Sequence, residues 1–187
     1  MELLKMEKVR DSRYLKNYEL TYKNKAGKEK VFEIVSHRDL KDPSMLGSSV
    51  SGLSIIAHKG DEMLLLREFR MGVNRYIYNL CAGMMAKGES AEECIRRELY
   101  EETGLSLKKL ETILPPAFPA VAISDIANRV AFAEVEGEIS DEHTSANEDI
   151  HAAFYSVPQL KKMLETETFS SRCQVAVYYF VKEHGGF

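Results

Sequence analysis

The sequence predicts an α/β chain of the α+β sandwich type, a mixed β-sheet held between helices. Three observations predict it: several short runs have the apolar alternation or density of strands, three segments carry apolar residues at helical spacing, and no repeat or linker divides them. At 187 residues the chain is long enough to bury a sizeable core.

Taken in order, Tyr18 to Tyr22 and Val31 to Val35 alternate apolar and polar side chains around the polar stretch Asn24 to Lys30, predicting a β-hairpin. This hairpin marks residues 1–45 as an appendage ahead of a main domain at 46–187. Ser49 to Ala57 and Met63 to Phe69 are apolar strands separated by the turn-like His58 to Asp61, and Tyr76 to Leu80 is a further strand. Ser90 followed three residues later by Glu93 is a capping box that starts a helix, and Gly104 supplies the left-handed residue that ends it. Leu110 to Leu114 is expected as a strand, Pro115 to Pro119 as a loop, and Val121 to Val135 as one or two strands interrupted by Ser124 and Asp125. Glu134 to Asp149 is acidic and aperiodic, hence a loop. His151 to Val157 then reads as a strand, and Pro158 to Glu165 and Ser171 to Glu183 as helices.

Composition narrows the partners. Hydrophobic residues at 44% and charged residues at 29% are ordinary for a globular domain and exclude a disordered or fibrous chain. A net charge of -4 without a Lys/Arg block argues against nucleic acid or an anionic membrane as the partner. No apolar run approaches the roughly 20 residues that span a bilayer. The three cysteines, Cys81, Cys94 and Cys173, form no CxxC pair, which suits reduced thiols and a cytoplasmic setting.

The chemistry concentrates on the Ser90 to Gly104 helix. At about 100° per residue, Ile95 and Leu99 with Ala91 define its buried stripe; Glu102 falls about 20° and Glu98 about 60° from Ile95. These two carboxylates therefore border the core, and Glu101 joins them at the i, i+3, i+4 spacing. Spacing alone fits two arrangements: a solvated helix face paired with arginines, or a site where Mg²⁺ or Mn²⁺ offsets crowded anions and then shares a phosphate.

The full pattern decides between them. From Gly83 to Leu105, the residues Gly83, Glu89, Arg97, Glu98, Leu99, Glu101, Glu102, Gly104 and Leu105 fill each specified position of G-x5-E-x7-R-E-U-x-E-E-x-G-U, with U aliphatic. This resembles the Nudix hydrolase box. The resemblance implies a Nudix fold and metal-dependent hydrolysis of a nucleoside diphosphate derivative. It further implies Glu98, Glu102 and Glu101 as metal ligands with the carbonyl of Ala82, Arg97 as the group that holds the carboxylates, and Glu89 as an aid at the helix start. The stretch Leu64 to Gly83 resembles the ADP-ribose pyrophosphatase and nucleoside diphosphate sugar branch, which makes Arg67 and Arg70 candidates for gripping the diphosphate. Asn147 to Ile150 resembles the segment that brings a catalytic glutamate from a loop, Glu148 here, as base or as a further metal ligand.

Two departures bear on the substrate. The branch commonly has a proline where this chain has Val121, and its "ELPAG" entry segment reads Asn79-Leu80-Cys81-Ala82-Gly83. Other nucleotides therefore stay open: dinucleoside polyphosphates, a nicotinamide dinucleotide, coenzyme A or nucleoside triphosphates. A module that senses a nucleotide without cleaving it is expected to lack some of these carboxylates, and here all are present. With no Trp in the chain, stacking on a base falls to tyrosines such as Tyr14, Tyr18 and Tyr22. By resemblance the hairpin implies a homodimer in which it completes the partner's nucleoside pocket.

Overall fold

The computed structural model describes residues 1–187. Packing divides them into two compact units, Met1–Ser51 with Pro116–Asn128, and Gly52–Pro115 with Arg129–Phe187.

The first unit is a three-stranded antiparallel sheet of β1 (Glu2–Asp11), β2 (Lys16–Lys23) and β3 (Glu29–Ser36), in that order. The expected hairpin is β2–β3. The first strand is not predicted, because charges interrupt ELLKMEKVRD every few residues and most of its side chains are exposed. Tyr18, Leu20, Ile34 and Leu40 form the core of this unit. Tyr18 is 1% exposed and its hydroxyl accepts the Leu40 N–H at 2.7 Å, so this tyrosine is packing and is closed to a base. The segment Pro116–Asn128 joins the unit through the Val35 N–H to the Ile123 carbonyl at 2.8 Å and an Arg38–Asp125 ion pair at 3.1 Å. By packing, the first unit runs to Ser51 and includes this distant loop.

The second unit holds a seven-stranded sheet and three helices. Its strands are β4 (Val50–Lys59), β5 (Glu62–Arg70), β6 (Arg75–Asn79), β7 (Cys81–Met84), β8 (Ser106–Ile113), β9 (Ala127–Glu136) and β10 (Ile150–Ser156). They run in the order β10-β5-β4-β9-β8, with β6 on β5 and β7 on β4. The helices are α1 (Ala91–Thr103), α2 (Val157–Thr166) and α3 (Ser171–Glu183). The strand expected at Tyr76 to Leu80 is β6, and β7 at Cys81–Met84 is a further strand that the sequence reading does not separate from the Gly83 motif. No helix is long and apolar enough to cross a membrane.

Strand periodicity explains the layers. Leu64 and Leu66 of β5 join Ile95 and Leu99 of α1 in one apolar cluster, while Met63 and Leu65 join Leu160 of α2 and Val177 of α3 in another. The sheet therefore lies between α1 on one face and α2 and α3 on the other. Burying Ile95 and Leu99 completely stabilises this placement of α1 by about 1.5–3 kcal/mol each.

Candidate active site

Helix α1 is fixed at both ends by its own sequence. The Ser90 hydroxyl accepts the Glu93 N–H at 3.2 Å and the Glu93 carboxylate accepts the Ser90 N–H at 2.8 Å. Gly104 takes φ 73° at the other end, where its N–H reaches the Tyr100 carbonyl at 2.9 Å. With Ile95 and Leu99 turned into the core, Glu98 and Glu102 are drawn against β7, as the helical angles require.

Glu98 is 8% exposed and lies directly over Gly83: a Cβ there would sit 1.7 Å from Oε1. Only glycine leaves room for this carboxylate. Burial raises its proton affinity, which the adjacent Arg97 guanidinium opposes and the charges of Glu101 and Glu148 reinforce. Glu102 Oε2 accepts the Ala82 N–H at 3.1 Å. Its carboxyl is pushed up to about 8, chiefly by burial, against hydrogen bonds from the Cys81 thiol and the Ala82 N–H.

Arg97 gathers the remaining acids. Its Nε and Nη2 hold Glu89 in a two-pronged pair at 2.8 and 3.0 Å, and its Nη1 donates to Glu98 at 2.7 Å and to Glu101 at 3.0 Å. A further bond to the Met84 carbonyl at 3.0 Å anchors it to β7. The Arg97 pair holds the Glu89 carboxyl down at about 2, and Glu89 also accepts the Ala86 N–H.

The carboxylates do not converge as three ligands on one point. Glu101 has half its side chain in solvent and faces Arg97. The pair Glu98 and Glu102 nevertheless fits a divalent cation: these are hard oxygen donors, crowded and desolvated, whose charged forms burial disfavours, and a cation reverses that penalty. Ala82, on β7 opposite Ser54, lies beside them.

Arg70 and Arg67 part company. Arg70 is paired with Glu68 at 3.5 Å, and Glu68 is close enough to Glu102 to act on its charge. Arg67 belongs to the other face of β5, where its guanidinium lies 4.1 Å from the centre of the Tyr76 ring and near Tyr155, whose ring packs with the α2 and α3 cluster. It is not brought to the carboxylates. Glu68, 6% exposed and bonded by the Asn79 amide at 2.6 Å, is a member of the cleft that sequence reasoning missed. Its signal was a lone acid continuing an apolar strand at the parity of Leu64 and Leu66.

Glu148 lies in the loop between β9 and β10, and its charge is among those acting on Glu98. Val121 is 72% exposed in the first unit, and Tyr14, 69% exposed there, is covered only by Arg13. A cavity of about 260 Å³ opens beside Glu102, lined also by Ser140, Asp141, Ile150 and His151.

Comparison with known proteins gives the family. The NUDIX domain profile matches residues 45–175. The chain is 26% identical over 141 residues to "Putative nudix hydrolase 2" of Caenorhabditis elegans, covering 73% of this chain and 61% of that protein. It is 27% identical over 153 residues to the ADP-ribose pyrophosphatase of Bacillus subtilis, covering 75% and 82%. It is 32% identical over 85 residues to the NAD-capped RNA hydrolase NudC of Stutzerimonas stutzeri, covering 46% and 27%. The chain thus spans less than two thirds of the nematode protein and about a quarter of this NudC. The crystal structure of an ADP compounds hydrolase superposes with a TM-score of 0.75 over 97% of this chain and 92% of that one, at 22% identity. With a family profile matched over more than half of its length, and a buried carboxylate pair on the helix which that match includes, the chain belongs to the NUDIX domain family.

Proposed function

We propose that this protein is a divalent-metal-dependent pyrophosphohydrolase that cleaves ADP-ribose, or a related nucleoside diphosphate sugar, to a nucleoside monophosphate and a sugar phosphate. The observation that carries the reading is the desolvated Glu98 and Glu102 pair set against β7. Glu98 and Glu102, with the Ala82 carbonyl, would hold Mg²⁺ or Mn²⁺, and Glu101 would support them through Arg97. When bound, the cation offsets the charge of the diphosphate and acidifies the attacking water.

The protein's own groups do the rest. Arg97 fixes the carboxylates, and Glu89 in turn fixes Arg97 through a paired hydrogen bond. Arg70, its side chain still half in solvent, is the cation we assign to the diphosphate. Glu148 accepts the proton of the water. The likeness to the Bacillus subtilis enzyme supports the ADP-ribose assignment. The likeness to NudC favours a second reading, a nicotinamide dinucleotide cleaved at the same bond. We place the protein in the cytoplasm as a homodimer, with the β2–β3 hairpin in the interface.

The test is a substrate panel at fixed Mg²⁺ comparing ADP-ribose, nucleotide sugars, a nicotinamide dinucleotide and nucleoside triphosphates, with products identified. AMP plus ribose 5-phosphate is the expected outcome, lost with a chelator and in Glu102→Gln. Turnover indifferent to chelator would overturn the proposal.

A further inference from the structure

The acidic loop between β9 and β10 is fastened at its start, middle and end, and the Lys59 ammonium donates to the Gly137 carbonyl at 2.9 Å where it leaves β9. At its start the Ser140 N–H donates to the Thr103 carbonyl at 2.9 Å. At its end the Tyr76 hydroxyl bonds the Asp149 carboxylate, and the Phe69 N–H reaches the Asp149 carbonyl at 3.0 Å. In the middle the His143 ring lies flat on Tyr100, with centroids 4.2 Å apart and planes 23° from parallel.

The middle attachment is the informative one. Tyr100 lies between Glu98 and Glu102 on the same rigid helix but projects to its solvent side, about 200° from each, so the stack ties the loop to α1 from outside while the charge of Glu148 acts on Glu98. Half of Tyr100 is exposed even so, and His143 is the ring that covers it. Two turns follow each other here: Asp141 to Thr144 encloses His143, with the Thr144 hydroxyl donating to the Asp141 carbonyl at 2.7 Å, and Ser145 to Glu148 is closed by the Glu148 N–H on the Ser145 carbonyl at 2.9 Å. The first turn carries His143 and the second carries Glu148, and the two adjoin in the chain at Thr144 and Ser145. The same loop supplies Ser140 and Asp141 to the cavity beside Glu102.

The geometry points to Tyr100 as a positioning residue, which by stacking on His143 holds the loop so that Glu148 is presented to the carboxylates of α1. This rests on the reading of Glu148 as the proton acceptor. The residue occupies a position the Nudix pattern leaves unspecified, so the latch belongs to this chain and not to the box.

The experiment compares Tyr100→Ala, Tyr100→Phe, His143→Ala and the Tyr100→Ala/His143→Ala double variant, with Glu148→Gln alongside. A stacked pair of this kind corresponds to about a three- to tenfold effect. The expected result is a fall in kcat of that size in both alanine variants, KM within about twofold, no further loss in the double variant, and wild-type kcat in Tyr100→Phe. Cleavage by a glutamate-specific protease at Glu142 and Glu148 should accelerate in Tyr100→Ala and not in Tyr100→Phe. Additive losses in the double variant, a Phe variant as slow as Ala, or unchanged cleavage would overturn the latch. Normal kcat in Tyr100→Ala overturns the positioning role. If Glu148→Gln is then also normal, the fault lies with the reading of Glu148; if Glu148→Gln is slow, it lies with the stack.

Discussion

Gly83→Ala adds one methyl at the tightest contact of the site. Its Cβ would lie 1.7, 1.8 and 2.3 Å from the Oε1, Cδ and Oε2 atoms of Glu98. Comfortable heavy-atom contact begins at about 3.5 Å, so a group must retreat by roughly 1.8 Å. The backbone of β7 is held in register by Gly83 opposite Leu53 and Ala82 opposite Ser54, which leaves the Glu98 side chain as the part that moves. Gly83 has no positive φ, so alanine itself brings no backbone strain. Retreat breaks the 2.7 Å bond from Arg97, a charge-assisted hydrogen bond of about 1.5–3 kcal/mol. Misplacing a catalytic group by an ångström costs about 100-fold in rate. We therefore expect kcat/KM for ADP-ribose to fall about 100-fold, the Mg²⁺ concentration for half-maximal activity to rise, and the metal-free melting temperature to drop by no more than about 8 °C. Steady-state kinetics across a Mg²⁺ titration, with differential scanning fluorimetry in chelator, would measure all three. A Gly83→Ala enzyme within threefold of wild type would refute the assignment of Glu98 to the metal.

Other perturbations separate stability from chemistry. The Glu102 carboxyl, raised from 4.5 to about 8, keeps its proton in the folded state and loses it in the unfolded chain across that window, so metal-free stability falls as pH rises from 4.5 to 8. Glu102→Gln should flatten that slope and stabilise the metal-free protein at pH 8 by up to about 5 kcal/mol while abolishing turnover, as chemical denaturation at several pH values would show. Arg97→Lys keeps the charge but loses the two-pronged hold on Glu89; it should lower stability by about 1–3 kcal/mol and activity at least tenfold, and full activity would contradict the scaffold role. Tyr18→Phe leaves the Leu40 N–H without its partner at a cost of about 1–2 kcal/mol, with KM unchanged; a raised KM would instead return Tyr18 to the substrate site.

The helix was the most legible part of the chain, since Ser90, Glu93 and Gly104 act through local hydrogen bonds that a sequence states outright. Its carboxylates followed from angle alone, because Ile95 and Leu99 fix which side turns inward. What parity left open was the face. Met63 to Leu66 is apolar on both sides, so nothing in the strand says whether the odd or the even residues meet α1, and it is the two clusters that put Arg67 and Arg70 on opposite faces. The strand β1 stayed hidden for a related reason, its side chains being mostly exposed and charged on both faces. The joining of Pro116–Asn128 to the first unit depends on pairings such as Arg38 with Asp125, distant in sequence and carrying no local signal. The stack of His143 on Tyr100 is of the same kind.

The alternation along β5 also bears on how this protein can be handled. Because Met63 and Leu65 support α2 and α3 while Leu64 and Leu66 support α1, the sheet acts as a partition between two apolar layers, crossed where the Ser170 hydroxyl donates to the Asn79 amide oxygen and the Asn79 amide donates to Glu68. The outer residues of α3, Val175, Tyr178 and Tyr179, stand in solvent beyond that partition. They offer places for a fluorophore, a surface tether or a solubilising charge that touch neither α1 nor the link from Ser170 to Glu68.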